Sequence, residues 1–377
     1  MFGKPITLFF LLGFRVQVDF TWLFLALLIT WSLAHGFFPA FFEDLDTATY
    51  WWMGVAGAIG LFFSIVLHEL AHSIVARKYG LPIKGITLFI FGGVAEMEEE
   101  PASPKAEFLM AIAGPIASFL LSGVFYGLAA IAESRELPVP VVGVATYLGF
   151  LNGLIAVFNL VPGFPLDGGR VLRSALWYWK GDIRWATRIA ANIGAGFGMV
   201  LMALGLLNVL GGNFVGGMWW FLIGLFLRSA ASTSYQQLMM RRALEGEPIR
   251  RYMTAKPITV SPKLTLRRFL EEYVYEYHHD MFPVTDDSDL LGSVNVRQLK
   301  AVPKDEWNRA TVGDIAEPCR RENTIDVNDD AVKALSVMGR TGNSRLMVTE
   351  RGRLVGIVAL KDMLKLLALK IDLDEID

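Results

Sequence analysis

The sequence predicts a polytopic α-helical membrane domain, with about six transmembrane helices and a short membrane-embedded strand region, followed by a soluble α/β domain. Three observations predict it. The 377 residues are 53% hydrophobic and only 19% charged, where an ordinary soluble chain is about 25% charged. Nearly all the long apolar runs fall before about residue 230. After that point the composition turns ordinary and a repeat begins. The expected division is therefore 1–230 as the transmembrane domain, 231–247 as a linker and 248–377 as a tandem-repeat domain, with repeats at about 248–302 and 311–370.

Charge and cysteine content exclude some functions. A net charge of −2 gives no basic footprint for a nucleic-acid partner. The single cysteine, Cys319, excludes an internal disulfide and suits a reducing compartment for the tail. No small-residue cleavage site follows the first apolar run, so no removable signal peptide is expected.

Residues 1–17 are expected to form a short strand or an interfacial segment. The first span runs from Val18 to about Phe38, with Trp22 and Trp31 near its ends as interfacial aromatics. An acidic loop with Glu43, Asp44 and Asp46 follows. The second span covers about Trp51 to Tyr79, with a small-residue face at Gly54, Gly57 and Gly60. Residues 81–95 are too short and glycine-rich for a span and read as a strand broken at Gly92-Gly93. Non-helical backbone at membrane depth must be buried or line a wet cavity, and such a strand edge can pair with an extended peptide. Glu96 to Glu100 is an acidic turn. The third span runs from about Lys105 to Ala132 with Gly114-Pro115 inside it, and the fourth from about Pro138 to Leu160. Two prolines and three glycines then shape the loop Asn159 to Arg170. An amphipathic helix from Arg170 to Trp179 leads to a fifth span, about Ala186 to Leu210, and a sixth, about Phe214 to Leu227.

Lysine and arginine set the expected orientation. With the N-terminus inside, the inner segments hold eleven basic residues, from Lys4 to Arg188, and the outer loops only Arg135. The positive-inside rule then puts the N-terminus and the soluble tail in the cytoplasm. His68 comes seventeen residues after Trp51, roughly 25 Å along a helix, so it lies nearer the cytoplasmic face.

The chemistry centres on His68-Glu69-Leu70-Ala71-His72, an H-E-x-x-H inside the second span. Two histidines four apart share one helix face and can share one Zn²⁺, and a glutamate after the first sits where a general base is needed. Charged and polar side chains in an apolar span need partners, which weakens the reading of packed polar residues. Of the candidate third ligands, His35 is at the wrong depth. Asp167 is at the right depth, and the alternative for it is a helix-capping carboxylate. Asn159 suits either an oxyanion donor or a helix-end cap.

Together, His68-Glu-Leu-Ala-His72 and Asn159-Leu-Val-Pro-Gly-Phe-Pro-Leu-Asp-Gly-Gly-Arg170 resemble the site-2 protease family of intramembrane metalloproteases. The resemblance covers about two-thirds of the chain. It implies one Zn²⁺ per chain held by His68, His72 and Asp167, with Glu69 as catalytic base and Asn159 as a transition-state or substrate contact. It further implies that Gly92 and Gly93 lie by the substrate strand, and that the substrate is a membrane-spanning segment of another protein.

In the tail, Val284-Thr-Asp and Leu290-Leu-Gly-Ser-Val recur as Val348-Thr-Glu and Leu354-Val-Gly-Ile-Val, every position offset by 64 residues. This resembles a pair of CBS domains. Such pairs often bind adenine nucleotides through a Ser/Thr and an Asp after the last strand. Here the first repeat has Asn295 and Gln298 at those places, and the second has Ala359 and Asp362. The resemblance implies Asp362 as a ribose contact, or else a structural module that forms a homodimer. A rival class is a CBS-regulated ion transporter or channel in which His68, Glu69 and Asp167 line an ion path. A third is an inactive adaptor. Movement of the CBS pair through the linker Ser232 to Glu247 is expected to control access to the site.

Overall fold

The computed structural model describes residues 5–366 apart from 82, 90, 91, 98, 99 and 288. The chain divides into two compact units, Met1–Gln236 and Gln237–Asp377.

The first unit opens with a hairpin, β1 (Ile6–Leu11) and β2 (Phe14–Val18). Phe14, Val16 and Val18 are buried at alternate positions, the period of a one-sided strand. Asp19 then starts a helix, its carboxylate accepting the Thr21 N–H at 2.9 Å, a bond that holds its pKa below the ordinary value. Helix α1 (Phe20–Ser32) continues through a π-turn at Leu33–Phe37 into α2 (Phe38–Phe41). Asp46 caps α3 (Thr47–Lys78) in the same way.

Two strands follow, β3 (Ile83–Phe89) and β4 (Gly92–Met97). Gly92 and Gly93 do not break a strand. They open β4, paired with Phe89 and Leu88. The sheet order is β1-β2-β3-β4, so β4 is an edge strand. Helices α4 (Pro104–Ser134), α5 (Val139–Asn159), α6 (Asp167–Lys180), α7 (Ile183–Leu210) and α8 (Phe214–Leu244) complete the unit and run past its end. Among the described residues six helical segments are long and apolar enough to cross a membrane, α1–α2 counting as one. The sixth continues unbroken to Leu244, so the polar stretch after Leu227 is its last turns.

In the second unit a 3₁₀ turn at Ile249–Arg251 precedes β5 (Thr254–Ala255). Helix α9 (Leu266–Phe269) runs through a π-turn into α10 (Tyr275–Tyr277). Then come β6 (Met281–Asp286), β7 (Asp289–Asn295), α11 (Val296–Lys300) and α12 (Val312–Ile315). Next come β8 (Glu317–Pro318), β9 (Thr324–Asp326), α13 (Ala331–Thr341), β10 (Arg345–Glu350) and β11 (Arg353–Ala359), and residues 360–366 are helical.

The repeat seen in sequence is a repeat in backbone detail. Hairpins β6–β7 and β10–β11 each shift register at the same place, Val284/Thr285 and Val348/Thr349. The repeats also exchange strands: β5, before the first hairpin, pairs with β11 of the second, and β8, before the second, pairs with β7 of the first. Gly292 and Gly356 stand at these junctions. A Cβ on Gly292 would lie 2.1 Å from the Glu317 carbonyl oxygen, and one on Gly356 2.8 Å from that of Thr254. Each exchanged strand thus needs a bare backbone to approach, and neither repeat completes its sheet alone.

Candidate active site

The site is built where α3, α4 and α6 meet. His68 and His72 share the inner face of α3 and are buried. Asp167 is the first residue of α6, not part of a free loop. It is brought there by close backbone contacts: a Cβ on Gly168 would lie 2.3 Å from the Leu160 carbonyl oxygen, and one on Gly169 2.4 Å from the Gly163 carbonyl carbon. Those glycines are therefore needed for room within a helix, where sequence suggested a turn.

His68 Nε2 and His72 Nε2 lie 3.1 and 3.2 Å from Asp167 Oδ2 and 3.2 Å from each other. Three donors on one tetrahedral ion with bonds of about 2.0–2.1 Å would stand about 3.3 Å apart, so the spacing and the N/N/O chemistry fit zinc. Among the described residues this is the one group of three such side chains placed to hold a metal. Burial works to raise the Asp167 carboxyl, but the two imidazoles beside it hold it well below the usual carboxylate range.

The far ring nitrogens are also fixed. His72 Nδ1 is 2.7 Å from the Met110 carbonyl, which only accepts, so Nδ1 carries the proton and Nε2 presents its lone pair. His68 Nδ1 is 2.9 Å from Ser118 Oγ. Both supports come from α4. Between them Gly114 passes so close that a Cβ there would fall 2.1 Å from His72 Nε2 and 2.6 Å from His68 Nε2.

Glu69 is half-buried. A Cβ on Gly93 would meet its Cγ at 2.6 Å, so β4 runs directly against Glu69. Gly92 is the first residue of that strand. Asn159 ends α5 with its amide donating to the Ile155 carbonyl at 3.0 Å. His35 is exposed and packs with Trp31 and Trp51, apart from the histidine pair.

Sequence reasoning missed Ser118, the Met110 carbonyl and a buried ion pair. Arg173 on α6, 5% exposed, donates to Glu107 of α4 and to Glu100, with the Phe164 ring beneath its guanidinium. Glu107 is a lone acid early in an apolar span, a signal that a basic partner must exist. A carbonyl partner has no such signal, because any residue type supplies one.

The profile of Peptidase family M50 matches residues 56–140 and 130–204, and that of the CBS domain matches 249–304 and 312–369. Rip3 of Mycobacterium tuberculosis, named as a zinc metalloprotease, is 37% identical over 94% of this chain and 91% of its own. The chain belongs to peptidase family M50, the site-2 proteases. A second such relative, sll0528 of Synechocystis, is 33% identical over 95% of this chain and 94% of its own. A solved structure, the site-2 protease from Methanocaldococcus jannaschii, aligns with a TM-score of 0.42 and 30% identity over 61% of this chain and 94% of that one. By its family matches, its relatives and its six long apolar helices, this M50 peptidase is a multi-pass membrane zinc metalloprotease, with a tandem CBS pair as its C-terminal part. The ion-path reading is set aside, since relatives spanning both parts carry the protease name.

In the CBS pair a polar cleft of about 290 Å³ lies between the repeats, lined by Asp280, Asn295, Arg297, Glu317, Asn343 and Arg345 among others. Asn295 and Gln298 are tied together in a reciprocal cap, at 2.7 and 3.0 Å. Asp362 is exposed in the segment after β11 and is not among the residues lining this cleft.

Proposed function

We propose that the protein is an intramembrane endopeptidase that cuts membrane-spanning segments of anchored proteins, as in regulated intramembrane proteolysis. The observation that carries this reading is the trio His68, His72 and Asp167, with donor atoms 3.1–3.2 Å apart among long apolar helices. These three residues would hold one zinc ion per chain. Zinc bound there supplies Lewis acidity, polarising a carbonyl and making water easier to deprotonate at neutral pH.

The remaining work belongs to the chain. Glu69, next to the first ligand, takes a proton from the attacking water and returns it to the leaving amine. A helical substrate hides its carbonyls in internal hydrogen bonds and must be extended before it is cut. The free edge of β4 offers backbone partners to such an extended stretch, beginning at Gly92 and Gly93 beside Glu69. Asn159, one loop before Asp167, turns from Ile155 toward the substrate carbonyl to meet developing negative charge.

The excess of Lys and Arg on one side supports a cytoplasmic N-terminus and CBS pair. The CBS pair then acts either as a sensor, binding an adenine nucleotide with Asp362, outside the polar cleft, as ribose contact, or as a structural module that pairs with a second copy. Nucleotide binding changes access to the site. Deleting residues 248–377 is expected to abolish nucleotide-dependent changes in activity.

The test of the reaction is Glu69→Gln. It is expected to keep bound zinc and lose cleavage of a single-pass substrate in detergent. Retained cleavage would overturn the assignment.

A further inference from the structure

The corner between α6 and α7 is not used by the metal site. The first part of α6 is packed into the protein, burying Gly168, Gly169, Arg173 and Ser174. Its last turn leaves the protein: Tyr178 is 84% exposed and Trp179 78%. Gly181, at φ +72, ends the helix. Asp182 is engaged as the cap of α7, accepting the N–H groups of Arg184 and Trp185 at 2.8 and 3.1 Å. Lys180, Arg184 and Arg188 are exposed. None of the three appears in an ion pair among the described residues. Lys180 instead stands over the Trp185 ring, 4.2 Å from its centroid, and Trp179 packs edge-on against the same indole.

The depth of this corner follows from length. Helix α7 has 28 residues, about 42 Å at about 1.5 Å per residue. The hydrocarbon layer is only about 30 Å thick. One or two turns therefore lie in the headgroup layer, and Arg184, Trp185 and Arg188 belong to the first turns. Indole and phenol rings favour that layer, and basic side chains there attract anionic lipid.

We propose that this corner is a binding surface for anionic phospholipid. Lys180, Arg184 and Arg188 take the headgroup phosphates, and Tyr178, Trp179 and Trp185 sit at the boundary with the acyl chains. An acidic protein segment fits less well, because the cations stand among exposed aromatic rings at the mouth of a membrane span. The surface has a consequence for the enzyme. Helix α6 carries Asp167 at its first residue and the lipid contacts at its last turn, so lipid docking steadies the helix that presents Asp167. Turnover should then depend on anionic lipid.

The experiment uses the full chain in nanodiscs of phosphatidylcholine with and without phosphatidylglycerol. Zinc content, cleavage of a single-pass substrate and co-purified lipid are read together. Phosphatidylglycerol is expected to co-purify with the wild type and to raise turnover severalfold. The variant Lys180→Gln/Arg184→Gln/Arg188→Gln should bind that lipid about 100-fold more weakly, at about fivefold per cation near an anionic surface. It should retain its zinc and its activity in phosphatidylcholine. Quenching of wild-type fluorescence by brominated phosphatidylglycerol, diminished in Trp179→Phe, tests the contact without the triple variant. Equal lipid dependence in the triple variant, indifference of the wild type to phosphatidylglycerol, or stimulation by soluble glycerol phosphate alone would each overturn the proposal.

Discussion

Arg173 on α6 and Glu107 on α4 form a buried ion pair, the guanidinium Nε donating to Glu107 Oε1 at 2.6 Å. The pair joins the helix that begins with Asp167 to the helix whose Met110 carbonyl holds His72. Burial works against the Arg173 charge, yet Glu107 and Glu100 keep it firmly protonated. Arg173→Met would leave Glu107 buried without its partner, and should destabilise the protein by about 3–5 kcal/mol. Adding Glu107→Gln should recover much of that loss. Denaturant unfolding of the single and double variants checks this. A harmless single variant, or a double variant no better than the single, would contradict it.

Gly114 is the point where α4 gives way to the two imidazoles. Gly114→Ala places a carbon where a metal's ligand atoms converge and should sharply reduce zinc content. Gly123 lies on the same helix with open space around its missing Cβ, so Gly123→Ala should keep full zinc. Elemental analysis of the two purified variants makes the comparison.

Ser118 supports His68 from behind. Ser118→Ala removes that bond and should weaken zinc binding about 10–100-fold while leaving the fold intact. Competition with a chelator of known affinity measures it. An unchanged affinity would mean that packing alone orients His68.

Much of this was legible in the sequence, and the failures have physical causes. The apolar runs were long enough to identify the spans, and the spacing of His68 and His72 placed them on one helix face. In the sequence Gly168-Gly169 suggests a turn and so a loop position for Asp167, whereas both glycines are helical and serve close backbone contact with Leu160 and Gly163. Gly92-Gly93 suggested a break, whereas the ladder to β3 carries them into β4. The 64-residue offset revealed two repeats, but nothing in it showed that they exchange strands, since short pieces such as Thr254–Ala255 have no pattern of their own.

The strand exchange makes the CBS pair one folding unit. Gly356→Val would push a branched side chain into the Thr254 carbonyl and detach β5 from β11. Both repeats should then lose stability together, in one transition instead of two, as followed by hydrogen exchange across 248–366. Protection lost from the second repeat alone would show that the repeats are independent.

The proposed reaction cuts a peptide bond within a membrane span at the His68, His72 and Asp167 site, with Glu69 as base. Mass-spectrometric mapping of the new termini of a single-pass substrate co-reconstituted in a bilayer tests it most directly. Termini are expected inside the substrate's membrane segment with wild-type protein, and none with Glu69→Gln. Termini confined to soluble loops, or the same termini with Glu69→Gln, would contradict it.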